Sequence, residues 1–232
     1  MLSADYVGAT RDYVEANSDC LFAFYQGAAG NQNADSYIKS ENYSTDCKTY
    51  SQALGNHILD GMQTLKPVEG SDHKVTLTRT NYEGINDHTE DGKVADATKI
   101  REVWLATNNW NQAMAAAPDS GIQSPYHAGS IVSRSKKTAA TTVLELNAIR
   151  VGPLGFVTAP YEMFHDSGMA IKDNSPFETT FVMTCTNGLH NYIASEYAFE
   201  GRGTYEVHNR TFTRGTAEDL VATFTEMLNS LA

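Results

Sequence analysis

Residues 141–171 read TTVLELNAIRVGPLGFVTAPYEMFHDSGMAI, and the order of residue types in this stretch decides the architecture. Thr141 to Thr158 is mostly β-branched or apolar, with an interruption at Val151-Gly152-Pro153-Leu154-Gly155. That composition describes two strands joined by a tight turn. Ala159-Pro160-Tyr161-Glu162 then opens a helix expected to run to about Ile171, and Thr179 to Thr186 is a further strand. Strands alternating with a helix in this way build an α/β fold, a mixed sheet covered by helices.

The flanking sequence extends the same alternation. The clearest helix lies on the C-terminal side, where Leu220, Val221, Phe224, Met227 and Leu228 form a buried stripe and Thr216 with Asp219 spell a capping box. On the N-terminal side, Val94 to Met114 carries apolar residues at helical spacing and should stop before Pro118, and Asp119 to Thr138 reads as a loop with a short helix. Residues 73–82, HKVTLTRTNY, alternate polar and apolar side chains, the period of a half-exposed strand, and His88 falls in the polar turn after it. A helix beginning near Asp46 places His57 on its apolar face, where a satisfied core or boundary histidine is expected. At the start, Ala4 to Ala16 is an amphipathic helix, followed by a turn and the apolar run CLFAFY, Cys20 to Tyr25, which reads as a strand.

Composition narrows the function. The chain has 232 residues, enough for one well-buried domain spanning 1–232, and no apolar run approaches the length that spans a bilayer. With 28 acidic and 17 basic residues the net charge is −11, which argues against nucleic acid and anionic membranes. The densest basic run, Arg134 to Lys137, reads as a solvated loop or helix end. Cys20, Cys47 and Cys185 show no CxxC spacing, so Cys20 and Cys185 read as buried inert thiols, which favours a reducing, cytoplasmic compartment. No basic-then-apolar leader opens the sequence, whose start looks internal.

Chemistry in such folds gathers where strands end. Three segments qualify: Gly27 to Asn33, Pro160 to Glu162, and Asn187 to Tyr192. In this order they resemble the neutral/alkaline, non-lysosomal ceramidase family, in the C-terminal portion of its catalytic domain. YQGAAGNQNA resembles the family's Gly-Asp-Val-Ser-Pro loop, with Gly30-Asn31-Gln32-Asn33-Ala34 lying over it. TAPYEMFHDSG resembles the Pro-Gly-Glu segment, and NGLHNYIASEYAFEGRGTYE the region around the family's Tyr-Val/Ile-Thr-Thr, with Tyr205-Glu206 as a following Tyr-Glu pair. The resemblance implies a zinc amidohydrolase acting on N-acylated sphingoid bases, with Glu162 and Tyr192 as zinc ligands and Gly30, Asn31 and Asn33 at the catalytic loop. Zinc would polarise the scissile carbonyl and lower the pKa of bound water to about 7.

Two departures shape that expectation. The family's other zinc ligands are histidines well upstream of the loop, and no histidine precedes it here. On this expectation the other half of the metal shell would come from an upstream segment or a second chain, and the chain would be a fragment, a truncated reading frame or one half of a split protein. His190, two residues before Tyr192, and His165, three after Glu162, are local alternatives, although exposed or capping roles explain them as well. Asn33 stands where the family has serine, so it can orient a substrate but cannot act as a nucleophile. Arg202 and Glu206 could orient the loop or form a solvated ion pair. A catalytically silent binding or assembly domain, or a zinc hydrolase for another amide or ester, stays open beside the ceramidase reading. An incomplete domain should expose an apolar sheet face or edge and associate with copies of itself, as a homo-oligomer, or with a partner as a hetero-assembly.

Overall fold

The structure is a computed structural model that describes residues 4–32, 47–68, 74–201 and 205–232. Asn33, Ala34 and Arg202 lie outside the described residues, as does the start expected for the second helix near Asp46. The described chain divides into two compact units: residues 4–25 with 47–68, and residues 26–32 with 74–201 and 205–232.

The smaller unit is a helix pair, α1 (Asp5–Ala16) and α2 (Cys47–Met62). They pack closely because Gly55 has no side chain: a Cβ there would lie 2.4 Å from a ring carbon of Tyr13. Tyr6 and Tyr50 meet edge to face at 5.5 Å, and the Tyr13 hydroxyl donates to Asn56 Oδ1 at 2.8 Å. Two expectations fail in this unit. His57 is exposed instead of facing a core, because the tyrosines and small residues make the contact. Cys20 to Tyr25 joins no described ladder, and Leu21 is 95% exposed. An apolar run becomes a strand only when a partner accepts its backbone groups, and no described strand pairs with this one.

The larger unit is the expected mixed α/β fold. Its sheet has the order β1-β2-β3-β5, formed by β1 (Val75–Ile85), β2 (Thr141–Val151), β3 (Leu154–Ala159) and β5 (Thr179–Thr184). β1 and β2 are antiparallel, β2 turns into β3 through Gly152 at φ 55°, and β3 runs parallel to β5. A second, two-stranded parallel sheet pairs β4 (Glu162–Met163) with β6 (Tyr192–Ile193). Helices α3 (Val94–Thr107), α4 (Trp110–Ala115) and α5 (Pro125–Arg134) follow β1, α6 (His165–Asp173) follows β4, and α7 (Tyr205–His208) and α8 (Thr216–Asn229) close the chain.

The pleat assigns the core to one face of the sheet. Leu144, Leu146, Ala148, Val157 and Val182 point there and meet Leu220, Phe224 and Leu228 of α8. Fully burying Phe224 or Leu228 contributes roughly 1.5–3 kcal/mol each. A second core, from Ala97, Ile100, Ala113, Ala128 and Ile131, joins α3, α4 and α5. On the opposite face of the sheet lie Val75, Leu77, Ile149, Phe156 and Phe181, with the last two rings stacked at 4.9 Å. Val75 and Leu77 there are 62% and 54% exposed, on an edge strand.

Several local expectations are corrected. The helix expected from Val94 to Met114 breaks at Asn108, whose left-handed φ of 48° ends α3, while the Asn109 side chain caps α4 by accepting from Gln112 N. The capping box at Thr216 does not form: Gly215, at φ 90°, holds the N-cap position and the Thr216 hydroxyl donates to Thr213 O instead. All three cysteines are exposed, so the buried-thiol argument for a reducing compartment falls. Arg134 is no solvated helix end, for its side chain is only 5% exposed within an ion network. Among the described residues no helix is long and apolar enough to cross a membrane.

Candidate functional site

The helix expected from Pro160 to Ile171 starts only at His165. Glu162 lies before it on β4, directly opposite Tyr192 in the parallel register of β6. The left-handed turn at Asn191, φ 56°, aims its carbonyl at the Glu162 N–H, which donates to it at 2.9 Å. Asparagine tolerates that conformation better than other residues with a side chain. His190 N donates to Pro160 O at 2.9 Å, and Gly188, at φ 159°, lets the same loop pass Pro160. The two loops are thus fastened along their length, which brings Glu162 and Tyr192 side by side. His165, at the start of α6, is exposed and not on a shared helical face with Glu162.

The glycine-rich loop meets the same place. Gly30 N donates to Met163 O at 2.7 Å, and a Cβ on Gly30 would lie 2.9 Å from the carbonyl oxygens of both Glu162 and Met163. Only glycine fits there. Asn31 Oδ1 accepts from His165 N at 2.7 Å, capping α6 from a distant segment. Its Nδ2 donates to the Tyr197 hydroxyl at 3.1 Å, and that hydroxyl donates in turn to Asp166. Ser195 also donates to Asp166. Gly30, Asn31, Glu162 and Tyr192 are therefore brought together, whereas Asn33 lies outside the described residues.

Electrostatics set the state of this pair. Burial raises the Tyr192 phenol well above its ordinary pKa, and its hydrogen bond to the negative Glu162 raises it further, with smaller contributions from Tyr205 and Glu206. A phenolate beside a carboxylate would be two anions in contact, so Tyr192 stays protonated. The Cys185 thiol is raised as well, by partial desolvation although the residue is exposed, with Glu162 adding to the rise.

Joined to β6 through Arg210 is a largely buried ion network that the sequence did not disclose. Glu90 accepts from Arg134 Nη2 at 2.7 Å and from His127 Nε2 at 3.0 Å. Arg134 Nη1 donates to His208 O at 2.9 Å, and Arg210 Nη2 approaches Asp87 Oδ2 at 2.5 Å. Burial opposes the charge on Glu90, yet the His127 and Lys93 contacts outweigh it and hold the carboxyl far below its usual range. His127 and His208 stack at 4.0 Å, and burial together with the charge on His127 lowers His208 to about 4. This network anchors the segment from Tyr205 to Arg210, and Arg210 makes a parallel bridge to Tyr192. Tyr205 in turn packs edge-on against Tyr192 at 6.0 Å. A turn with Asp87 and Glu90, an Arg134 four residues after Ser130, and His208 were the available signals, but they are 40 to 120 residues apart and only folding unites them.

Glu162 and Tyr192 supply two oxygen donors, and among the described residues no group of three His, Cys, Asp or Glu side chains could hold a metal. Catalytic zinc takes three protein ligands, usually with histidine prominent. The described residues alone do not fit zinc, and at most they furnish part of a shell.

No family model matches the sequence, and no curated protein matches it. Among solved structures, neutral ceramidase from Pseudomonas aeruginosa is similar with a TM-score of 0.59 and 17% identity, over 100% of this chain and 41% of that one. A ceramidase complexed with C2 is similar with a TM-score of 0.55 and 14% identity, over 100% and 42%. The chain thus spans about two-fifths of each of these proteins, and its fold is similar to that portion of neutral ceramidase.

Proposed function

We propose that this chain carries the Glu162 and Tyr192 part of a ceramidase-like, zinc-dependent amidohydrolase site, which becomes competent for N-acyl amide hydrolysis when histidines from a further segment or a second chain complete the metal shell. The observation that carries the reading is the pairing of Glu162 with Tyr192 in register across two strand ends, in a fold similar to a portion of neutral ceramidase. In this reading Gly30 and Asn31 position the site. The Gly30 N–H is committed to Met163 O and the Asn31 amide to His165 N and Tyr197, so they fix β4 and α6 and leave the reacting atoms to Glu162 and Tyr192.

In the chain as it stands the single phenolic proton of Tyr192 is donated to Glu162. With zinc bound, both oxygens would turn to the metal, which would polarise the scissile carbonyl and activate water. The partly exposed apolar sheet face bearing Val75, Leu77, Phe156 and Phe181 offers the completing segment a surface to cover. A silent binding or assembly domain is the second reading, favoured by the two-donor set.

The test is hydrolysis of a short-acyl fluorescent N-acylsphingosine by the protein joined to its histidine-bearing segment. Because substitutions outside a metal's first shell already cost about 10- to 100-fold, Glu162→Ala should lose on the order of 100-fold or more. Unchanged turnover in Glu162→Ala would sink the proposal, while absence of turnover in the completed wild type would favour the silent domain.

A further inference from the structure

A pocket of about 400 Å³ opens between α3, α5 and the loop preceding β6. Its lining includes Arg101, Arg134, Lys137 and His190 together with Trp104, Leu105, Tyr126 and Leu189, and no described aspartate or glutamate lines it. In a chain with 28 acidic and 17 basic residues, three long cations gathered in one concavity without an acid run against the overall charge. Arg134 is already neutralised, because its guanidinium is bound to Glu90, Ser130 and the carbonyl of His208. Arg101 and Lys137 are different: neither pairs with a described carboxylate. Lys137 is half-buried, its ammonium 5.9 Å from the centroid of the Phe212 ring, and burial lowers its pKa. A partly desolvated cation with no counter-charge is costly unless a ligand supplies one.

We propose that this pocket binds an oxyanion, carboxylate or phosphate, carried on an apolar chain, with Arg101 and Lys137 as its counter-charges and Trp104, Leu105 and Tyr126 as the wall for the apolar part. The volume lies within the range of small-molecule sites, and the lining is mixed, polar and charged side chains standing beside Trp104, Leu105 and Tyr126, which suits an amphiphile better than a wholly apolar ligand. Arginine and lysine together suit a planar carboxylate or a phosphate equally, so the ligand's charged group is defined by class. The pocket adjoins the candidate site, since Asn191 lines it and Tyr126 packs on Tyr205 at 6.1 Å, but the inference does not rest on the hydrolase reading.

The experiment is calorimetric titration of the chain, without metal, with octanoate, octyl phosphate, octanol and inorganic phosphate. Tryptophan fluorescence, from Trp104 in the lining and Trp110 packed 6.3 Å from it, serves as a second readout. Octanoate or octyl phosphate should bind one per chain, whichever is tighter identifying the charged group, and octanol and inorganic phosphate should each bind at least tenfold more weakly. Lys137→Met and Arg101→Leu should each weaken the tighter ligand about tenfold, and because each keeps an apolar stem and neither residue pairs with a described carboxylate, melting temperatures should be kept. Octanol binding as tightly as octanoate and octyl phosphate would overturn the charge assignment, and inorganic phosphate as tight as octyl phosphate would overturn the apolar wall. No binding of either amphiphile, or affinity unchanged in both variants, would overturn the site.

Discussion

Gly30→Ala puts the seating of the glycine-rich loop on β4 to a quantitative test. The added Cβ would lie 2.9 Å from the carbonyl oxygens of Glu162 and Met163 and 3.0 Å from the Met163 carbonyl carbon. All three are backbone atoms of one short strand, so no side-chain rotation relieves the clash and the loop itself must withdraw. Withdrawal stretches the 2.7 Å hydrogen bond from Gly30 N to Met163 O, worth about 1 kcal/mol, and the crowding adds roughly 1–3 kcal/mol. For a unit of this size, about 2–4 kcal/mol corresponds to a fall in melting temperature of roughly 5–15 °C. Gly27→Ala is the control, since a Cβ there meets nothing within 4 Å and should change stability by less than about 0.5 kcal/mol. Both variants would be followed by circular dichroism melting. A Gly30→Ala midpoint within about 2 °C of wild type, or an equal loss in Gly27→Ala, would refute the reasoning.

Other outcomes follow from the ion network and the sheet. Arg134→Met removes a charged hydrogen bond from the largely buried Glu90 while His127 and Lys93 remain, and should cost about 1.5–3 kcal/mol in urea unfolding; a cost under about 0.5 kcal/mol would show that the pair is not buried as described. The folded Glu90 carboxyl is depressed below its ordinary 4.5, so its stabilisation is present above that pH and is lost as pH falls. The penalty of Glu90→Gln should therefore shrink below about pH 4.5, and a pH-independent penalty would contradict this. His208 is lowered from 6.5 to about 4, so the folded state prefers it neutral, and stability present above 6.5 should drain away as pH falls towards 4. His208→Asn should flatten that limb of the stability curve, which pH-dependent denaturant titration would show. Leu77→Lys on the exposed face of β1 should reduce self-association measured by light scattering, and an unchanged mass distribution would remove that face from the contact.

Much of the fold was legible because its signals are local. The hairpin at Val151 to Gly155 and the stripe of α8 are written in consecutive residues, and the structure has both. The Asn108 break in α3 was missed because a left-handed asparagine leaves little mark within an otherwise helical pattern. Glu162 was expected on a helix because Pro160 resembles a helix start. Its backbone is instead claimed by Asn191 and β6, a tertiary pairing that no window around residue 162 contains. Glu162, Tyr192, Gly30 and Asn31 were singled out through the resemblance of three ordered strand-end segments to a known family, whereas the network of Glu90, Arg134, His127 and His208 was not. Its members belong to separate elements, and the basic run around Arg134 looks solvated until α5 buries it.

The central claim is that Glu162 and Tyr192 are two ligands of a zinc shell completed from outside the described residues. The most direct measurement is zinc content by elemental analysis, for this chain alone, for the chain joined to a histidine-bearing segment, and for Glu162→Ala and Tyr192→Phe in the joined form. The account predicts little metal in the chain alone and about one zinc per chain in the joined form, with most of it lost in Glu162→Ala and affinity reduced in Tyr192→Phe. A full equivalent of zinc retained with unchanged affinity in both variants would contradict it.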